Sequence, residues 1–97
     1  MKAFQVTDFE KNPTIEHIQK PNPQSDQIRL KIMSCGLNFA DILLMDGAYQ
    51  ETPQLPFVLG MEGSGVVDAL GSNVTNFSIG DRVAVFNGQG GLAEFGC

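Results

Sequence analysis

Apolar and polar positions along this chain alternate in short runs, and a two-residue period predicts strands with one buried and one wet face. The clearest run is Ile28, Leu30 and Ile32, with Arg29 and Lys31 between them. Residues 1–6 and 15–18 read as shorter strands ahead of it. The proline-bearing stretch Lys20-Pro21-Asn22-Pro23-Gln24-Ser25-Asp26 is a connector. Downstream, residues 57–59, 66–70 and 83–86 read as strands around a glycine-rich bend, with turns at Gly71-Ser72-Asn73 and at Ile79-Gly80-Asp81-Arg82. There is no internal repeat.

One segment breaks the strand pattern. Residues 39–46 predict a short helix with Asn38 at the N-cap, Asp41 three residues on and Gly47 at its end. Two turns are marginal alone, so Ile42, Leu43, Leu44 and Met45 are expected to be held by tertiary packing. Residues 52–56, with Pro53 and Pro56, form a loop. Short strands broken by glycine, with one helix, predict a mainly β fold: a partial small barrel in a single domain over residues 1–97.

A chain of 97 residues has room for one modest core, burying roughly 60–65% of its unfolded surface. The net charge is −5 and the six basic residues are scattered. This excludes nucleic-acid binding, which needs clustered Lys and Arg. No apolar run approaches the roughly 20 residues of a membrane span, and Asp8, Glu10 and Lys11 behind Met1 leave no signal-peptide core. A cytoplasmic protein is the expectation. Cys35 and Cys97 have no repeated spacing and read as free thiols. Asn73-Val74-Thr75 and Asn76-Phe77-Ser78 are chance matches to the glycosylation pattern.

Two side chains stand out as carriers of chemistry. Asn38 offers a donor and an acceptor, either to the helix it caps or to a ligand; the two roles are compatible. Tyr49 is the only tyrosine, placed to pack its ring or to protonate an oxygen that gains charge. Asp41 reads as a helix cap rather than a base, and Glu62 as a structural hydrogen-bonding group. His17 stands alone and is expected at the surface. Gly60-Met61-Glu62-Gly63-Ser64-Gly65 is not a dinucleotide fingerprint, because the glycine order is reversed and no helix pattern follows.

Four motifs stand in order between residues 29 and 96: Gly36-Leu37-Asn38-Phe39-Ala40-Asp41, Gly47-Ala48-Tyr49, Gly60-Met61-Glu62-Gly63-Ser64-Gly65-Val66-Val67 and Gly80-Asp81-Arg82-Val83. Together they resemble the zinc-free branch of the medium-chain dehydrogenase/reductases, the quinone oxidoreductases with zeta-crystallin, and within it the vesicle amine-transport protein group. Where the zinc enzymes of that superfamily carry a cysteine and a histidine, this chain has Asn38 and Met61. A carboxamide and a thioether are poor zinc ligands, so no metal is expected.

The resemblance implies the GroES-like N-terminal catalytic domain of an NADPH- or NADH-dependent oxidoreductase. Its substrates would be small molecules, quinones or α,β-unsaturated carbonyl compounds, and its full-length form a homodimer. It puts Asn38 and Tyr49 at the nicotinamide and substrate, in both catalytic and cofactor-binding roles. Most cofactor contacts would lie in a dinucleotide-binding domain beyond residue 97, so the chain alone is expected to be an inactive fragment. Leu43 stands where relatives place a second tyrosine, implying a less polar pocket. The alternatives are a free-standing co-chaperonin lid, similar through residues 65–71 and 80–88, and a non-enzymatic vesicle-protein relative. The helix and the Gly47-Ala48-Tyr49 loop have no place in a lid.

Overall fold

A computed structural model describes residues 1–97. In chain order the elements are β1 (Lys2–Val6), β2 (Thr14–His17), β3 (Ile28–Ser34), α1 (Phe39–Met45), β4 (Phe57–Val58), β5 (Glu62–Leu70), β6 (Arg82–Phe86) and β7 (Phe95–Gly96). They form a three-stranded sheet, β2-β1-β4, and a four-stranded sheet, β6-β5-β3-β7. Every pairing is antiparallel. The expected mainly β architecture with one short helix is present, and the two sheets do not close into a complete barrel.

The glycine-rich run departs from expectation. It belongs to β5, which starts at Glu62 rather than at residue 66. Gly65 lies opposite Ile32 with the backbones so close that a Cβ would strike the Lys31 carbonyl; glycine here lets the strands meet. The bend sits earlier, at Gly60, whose φ is +104°.

A single segment, residues 87–94, ties the sheets together. Leu92 accepts the Phe4 N–H and donates its own to the Leu59 carbonyl, both at 2.8 Å, and Ile32 N–H reaches the Glu94 carbonyl at 2.9 Å. Glu94 bonds Lys2 twice: its N–H meets the Lys2 carbonyl at 3.1 Å, and its carboxylate accepts the Lys2 N–H at 2.6 Å. Within the larger sheet, Arg29 Nε of β3 meets Asp68 Oδ1 of β5 at 2.9 Å, and the same guanidinium donates to the Pro21 carbonyl at 3.2 Å. Lys20 adds a second cation at 3.6 Å from Asp68 and lies 3.7 Å over the Phe95 ring.

The core is a cluster of Val6, Leu44, Phe57, Leu59 and Met61, with Phe4, Phe9, Ala40, Tyr49 and Leu92 packed around it. Of the four helix residues expected inside, Leu44 is buried, but Ile42 is 51% exposed. Positions two apart on a helix face opposite ways, so burying Leu44 turns Ile42 outward. Between the sheets lies a cavity of about 790 Å³, lined by Ile28, Leu30, Ile32, Val83, Val58 and others. The accessible surface of 6131 Å² exceeds the about 5,400 Å² of a typical globular monomer of this mass, as an open inter-sheet space requires. His17 is exposed at the end of β2, as expected, and both cysteines are free. No helix is long and apolar enough to cross a membrane.

Candidate functional site

Helix α1 enters the site from its cap. Asn38 has extended backbone angles, φ −119° and ψ 155°, and the capping box with Asp41 is present in outline. Asp41 Oδ2 accepts the Asn38 N–H at 2.9 Å, while the Asp41 N–H donates to the Asn38 carbonyl at 3.0 Å. The Asn38 carboxamide faces the first turn without a full cap bond of its own, and its Nδ2 is buried with no partner. A buried donor without an acceptor is costly, which sets this side chain apart from an ordinary cap.

Asp41 is 5% exposed, and its second oxygen accepts the Gly60 N–H at 3.2 Å. Both oxygens are committed to backbone donors, in keeping with a capping rather than a basic role. That bond fastens the helix to the bend preceding Met61, which is 6% exposed in the apolar core. Glu62 does not take the hydrogen-bonding role expected of it. Its carboxylate instead packs where a side chain on residue 36 would lie, so only Gly36 fits there.

Cys35 lies in the same corner, its Sγ against Gly60 and Gly91. Burial, and then the charges of Asp41 and Glu62, push its thiol pKa up. No three His, Cys, Asp or Glu side chains converge as a metal-holding group.

Tyr49 follows the opposite end of α1, where the Ala48 N–H closes on the Leu43 carbonyl at 2.8 Å. Its ring packs on the core cluster, and it borders a cleft of about 230 Å³ with Leu44 and Met61. Asn87 and Gln89 form the facing wall; sequence reasoning passed over both, since a carboxamide in a glycine-rich loop carries no motif signal. Asn38 does not line this cleft. The seven-residue helix between them spans about 10 Å, so Asn38 and Tyr49 mark its two ends.

Comparison with known proteins follows this geometry closely. Residues 24–96 match the alcohol dehydrogenase GroES-like domain. The chain is 56% identical over 74 residues to quinone oxidoreductase-like protein 2 homolog of Nematostella vectensis, covering 75% of this chain and 20% of that protein. It is 40% identical over 77 residues to the human synaptic vesicle membrane protein VAT-1 homolog-like, covering 79% of this chain and 18% of that one. The crystal structure of the human VAT-1 homolog-like protein superposes with a TM-score of 0.89 at 34% identity, over 98% of this chain and 31% of that chain. The quinone oxidoreductase of Thermus thermophilus, solved also with NADPH, gives 0.81 at 34% identity, over 98% and 28%. This chain therefore spans about a fifth of the length of the curated relatives it matches.

Proposed function

The chain belongs to the alcohol dehydrogenase GroES-like domain family, as the N-terminal part of a medium-chain dehydrogenase/reductase, and on that premise we propose that it is the catalytic portion of a zinc-independent NAD(P)H-dependent oxidoreductase. Its substrates are quinones or α,β-unsaturated carbonyl compounds. Related quinone oxidoreductases have been solved with NADPH, which supports the cofactor class.

The observation that carries this reading is the Asn38 carboxamide, whose buried Nδ2 lacks an acceptor within the chain. An amide oxygen from outside, such as that of a nicotinamide, completes it after a rotation about χ2. NADPH, when bound, supplies the hydride. Asn38 would hold the nicotinamide end and Tyr49 would face the acceptor, its phenol able to hydrogen-bond a carbonyl oxygen as negative charge develops there. Zinc independence rests on the donor set: Asn38 and Met61 offer a carboxamide and a core thioether, and neither is a competent zinc ligand. The co-chaperonin-lid alternative is not supported, because Leu44 of α1 and Tyr49 of the following loop are built into this domain's core.

The test joins residues 1–97 to the cofactor-binding region of a full-length relative and follows NADPH oxidation at 340 nm with 1,4-benzoquinone or 2-cyclohexen-1-one. Turnover that survives a zinc chelator in the fusion, and is absent from the isolated chain, is the expected result. A fusion that binds NADPH but reduces neither acceptor would sink the proposal.

A further inference from the structure

We infer that the cleft beside Tyr49 is a recognition site for a small uncharged carbonyl compound, with Asn87 and Gln89 as the residues that set its preference. The inference rests on the reductase reading and names what its substrate must look like.

The cleft has three parts with different chemistry. Leu44 and Met61 give it an apolar floor, Tyr49 to Thr52 one wall, and Asn87 to Gln89 the other. Both walls are held by backbone geometry. The Met61 carbonyl accepts the N–H groups of Asn87 at 2.8 Å and Gly88 at 3.1 Å, and the Gly90 N–H meets the Val58 carbonyl at 2.8 Å. Thr52 Oγ1 donates to the Tyr49 carbonyl at 3.2 Å. The carboxamide loop is thus fastened to the residue that floors the cleft.

Charge narrows the ligand. No Lys or Arg lines the cleft, and Glu51 is its only acid. A carboxylate or phosphate would find no cation and would meet Glu51, whereas a carbonyl oxygen finds the NH₂ groups of Asn87 and Gln89 and the phenol of Tyr49. A lone exposed carboxylate adds little for a cation either. Size narrows it again: about 230 Å³ lies below the range of roughly 300–1,000 Å³ that holds a drug-sized molecule, and suits a single ring. The larger inter-sheet cavity is walled by strand residues of the core and lacks this polar rim.

The test is a titration of the ¹⁵N-labelled 97-residue chain with 2-cyclohexen-1-one, reading the side-chain NH₂ signals of Asn87 and Gln89. Saturable shifts of both are expected, with cyclohex-1-ene-1-carboxylate and cyclohexylammonium each at least about tenfold weaker. The double variant N87A/Q89A should lose the response of the Tyr49 and Met61 amides while keeping a dispersed, folded spectrum, and E51Q should narrow the carboxylate gap. No binding, equal binding of either charged probe, or shifts centred on Ile32 and Val83 would overturn the inference. Because this titration needs no cofactor, the neutral-ligand preference in a chain whose fusion transfers no hydride would remove the reductase reading and leave the recognition site standing.

Discussion

The Asp41 carboxylate bridges two backbone N–H groups that are distant in sequence, taking Asn38 at 2.9 Å and Gly60 at 3.2 Å. It thereby joins the first turn of a helix too short to stand alone to the bend that delivers Met61 to the core. Asp41→Ala leaves a buried N–H unpaired and uncaps α1, and is expected to cost about 2–3 kcal/mol. Urea denaturation measures it; a loss under about 0.5 kcal/mol, the scale of an ordinary surface change, would refute the bridging role.

Gly60→Ala should be at least as damaging. The residue has a positive φ of +104°, and an added Cβ would come within 2.6 Å of the Leu92 nitrogen and 2.9 Å of Cys35 Sγ. Backbone strain of this kind costs on the order of 1–3 kcal/mol before the clash is counted. The expected outcome is a lower urea midpoint than that of Asp41→Ala, measured on the same chain.

Tyr49→Phe separates structure from chemistry. The ring packs on the core, and the Thr52 hydroxyl bonds the backbone carbonyl of residue 49 rather than its phenol. Stability should therefore change by less than about 0.5 kcal/mol. In the fusion enzyme, kcat should fall by about tenfold to a hundredfold if the phenol assists the developing oxyanion. Unchanged kcat would return Tyr49 to a packing role.

Acid should loosen the larger sheet. Burial pushes the Asp68 carboxyl up, but the hydrogen bond and charge of Arg29, helped by Lys20, outweigh it and hold the pKa below the usual carboxylate value. A depressed folded-state pKa contributes stability that is fully present above the unfolded-state value of about 3.9 and is lost as pH falls through the folded one. Wild-type stability should thus decline below about pH 4, and Asp68→Asn should flatten part of that decline while costing about 1 kcal/mol at neutral pH. Melting curves from pH 2 to 7 decide it.

Cys35 should resist electrophiles. Its thiol pKa is raised by burial and by Asp41 and Glu62, so little thiolate forms at neutral pH. Iodoacetamide is expected to modify Cys35 about tenfold more slowly than it modifies glutathione at pH 7.5, and Glu62→Gln should speed the reaction. Intact-mass spectrometry with peptide mapping reads both. Such reluctance would suit a domain whose proposed substrates are themselves thiol-reactive.

Much of the fold was legible because it is local. The alternation from Ile28 to Ile32 predicts β3, and Asn38, Asp41 and Gly47 bracket α1 to within one residue. The glycine run misleads because Gly63 and Gly65 look like breakers in isolation, and only the approach of β3 makes them strand residues. Ile42 misleads because a seven-residue helix buries a narrower face than four consecutive apolar residues suggest. At the site, Asn38 and Tyr49 carry family motifs, whereas Asn87 and Gln89 gain meaning only when a loop folds back on the Met61 carbonyl.

The double bond between Lys2 and Glu94 sets an order on biosynthesis. The first strand of the domain finds its partner 92 residues later, and Leu92 then links Phe4 to Leu59. A chain emerging from the ribosome can curl β1 against β2 early, but the two sheets stay unjoined until their clasp is translated. Topologies ruled by such distant pairings fold slowly. During that wait the apolar inner faces of both sheets are uncovered, so this domain is one that holdase chaperones should meet before its own last strand does.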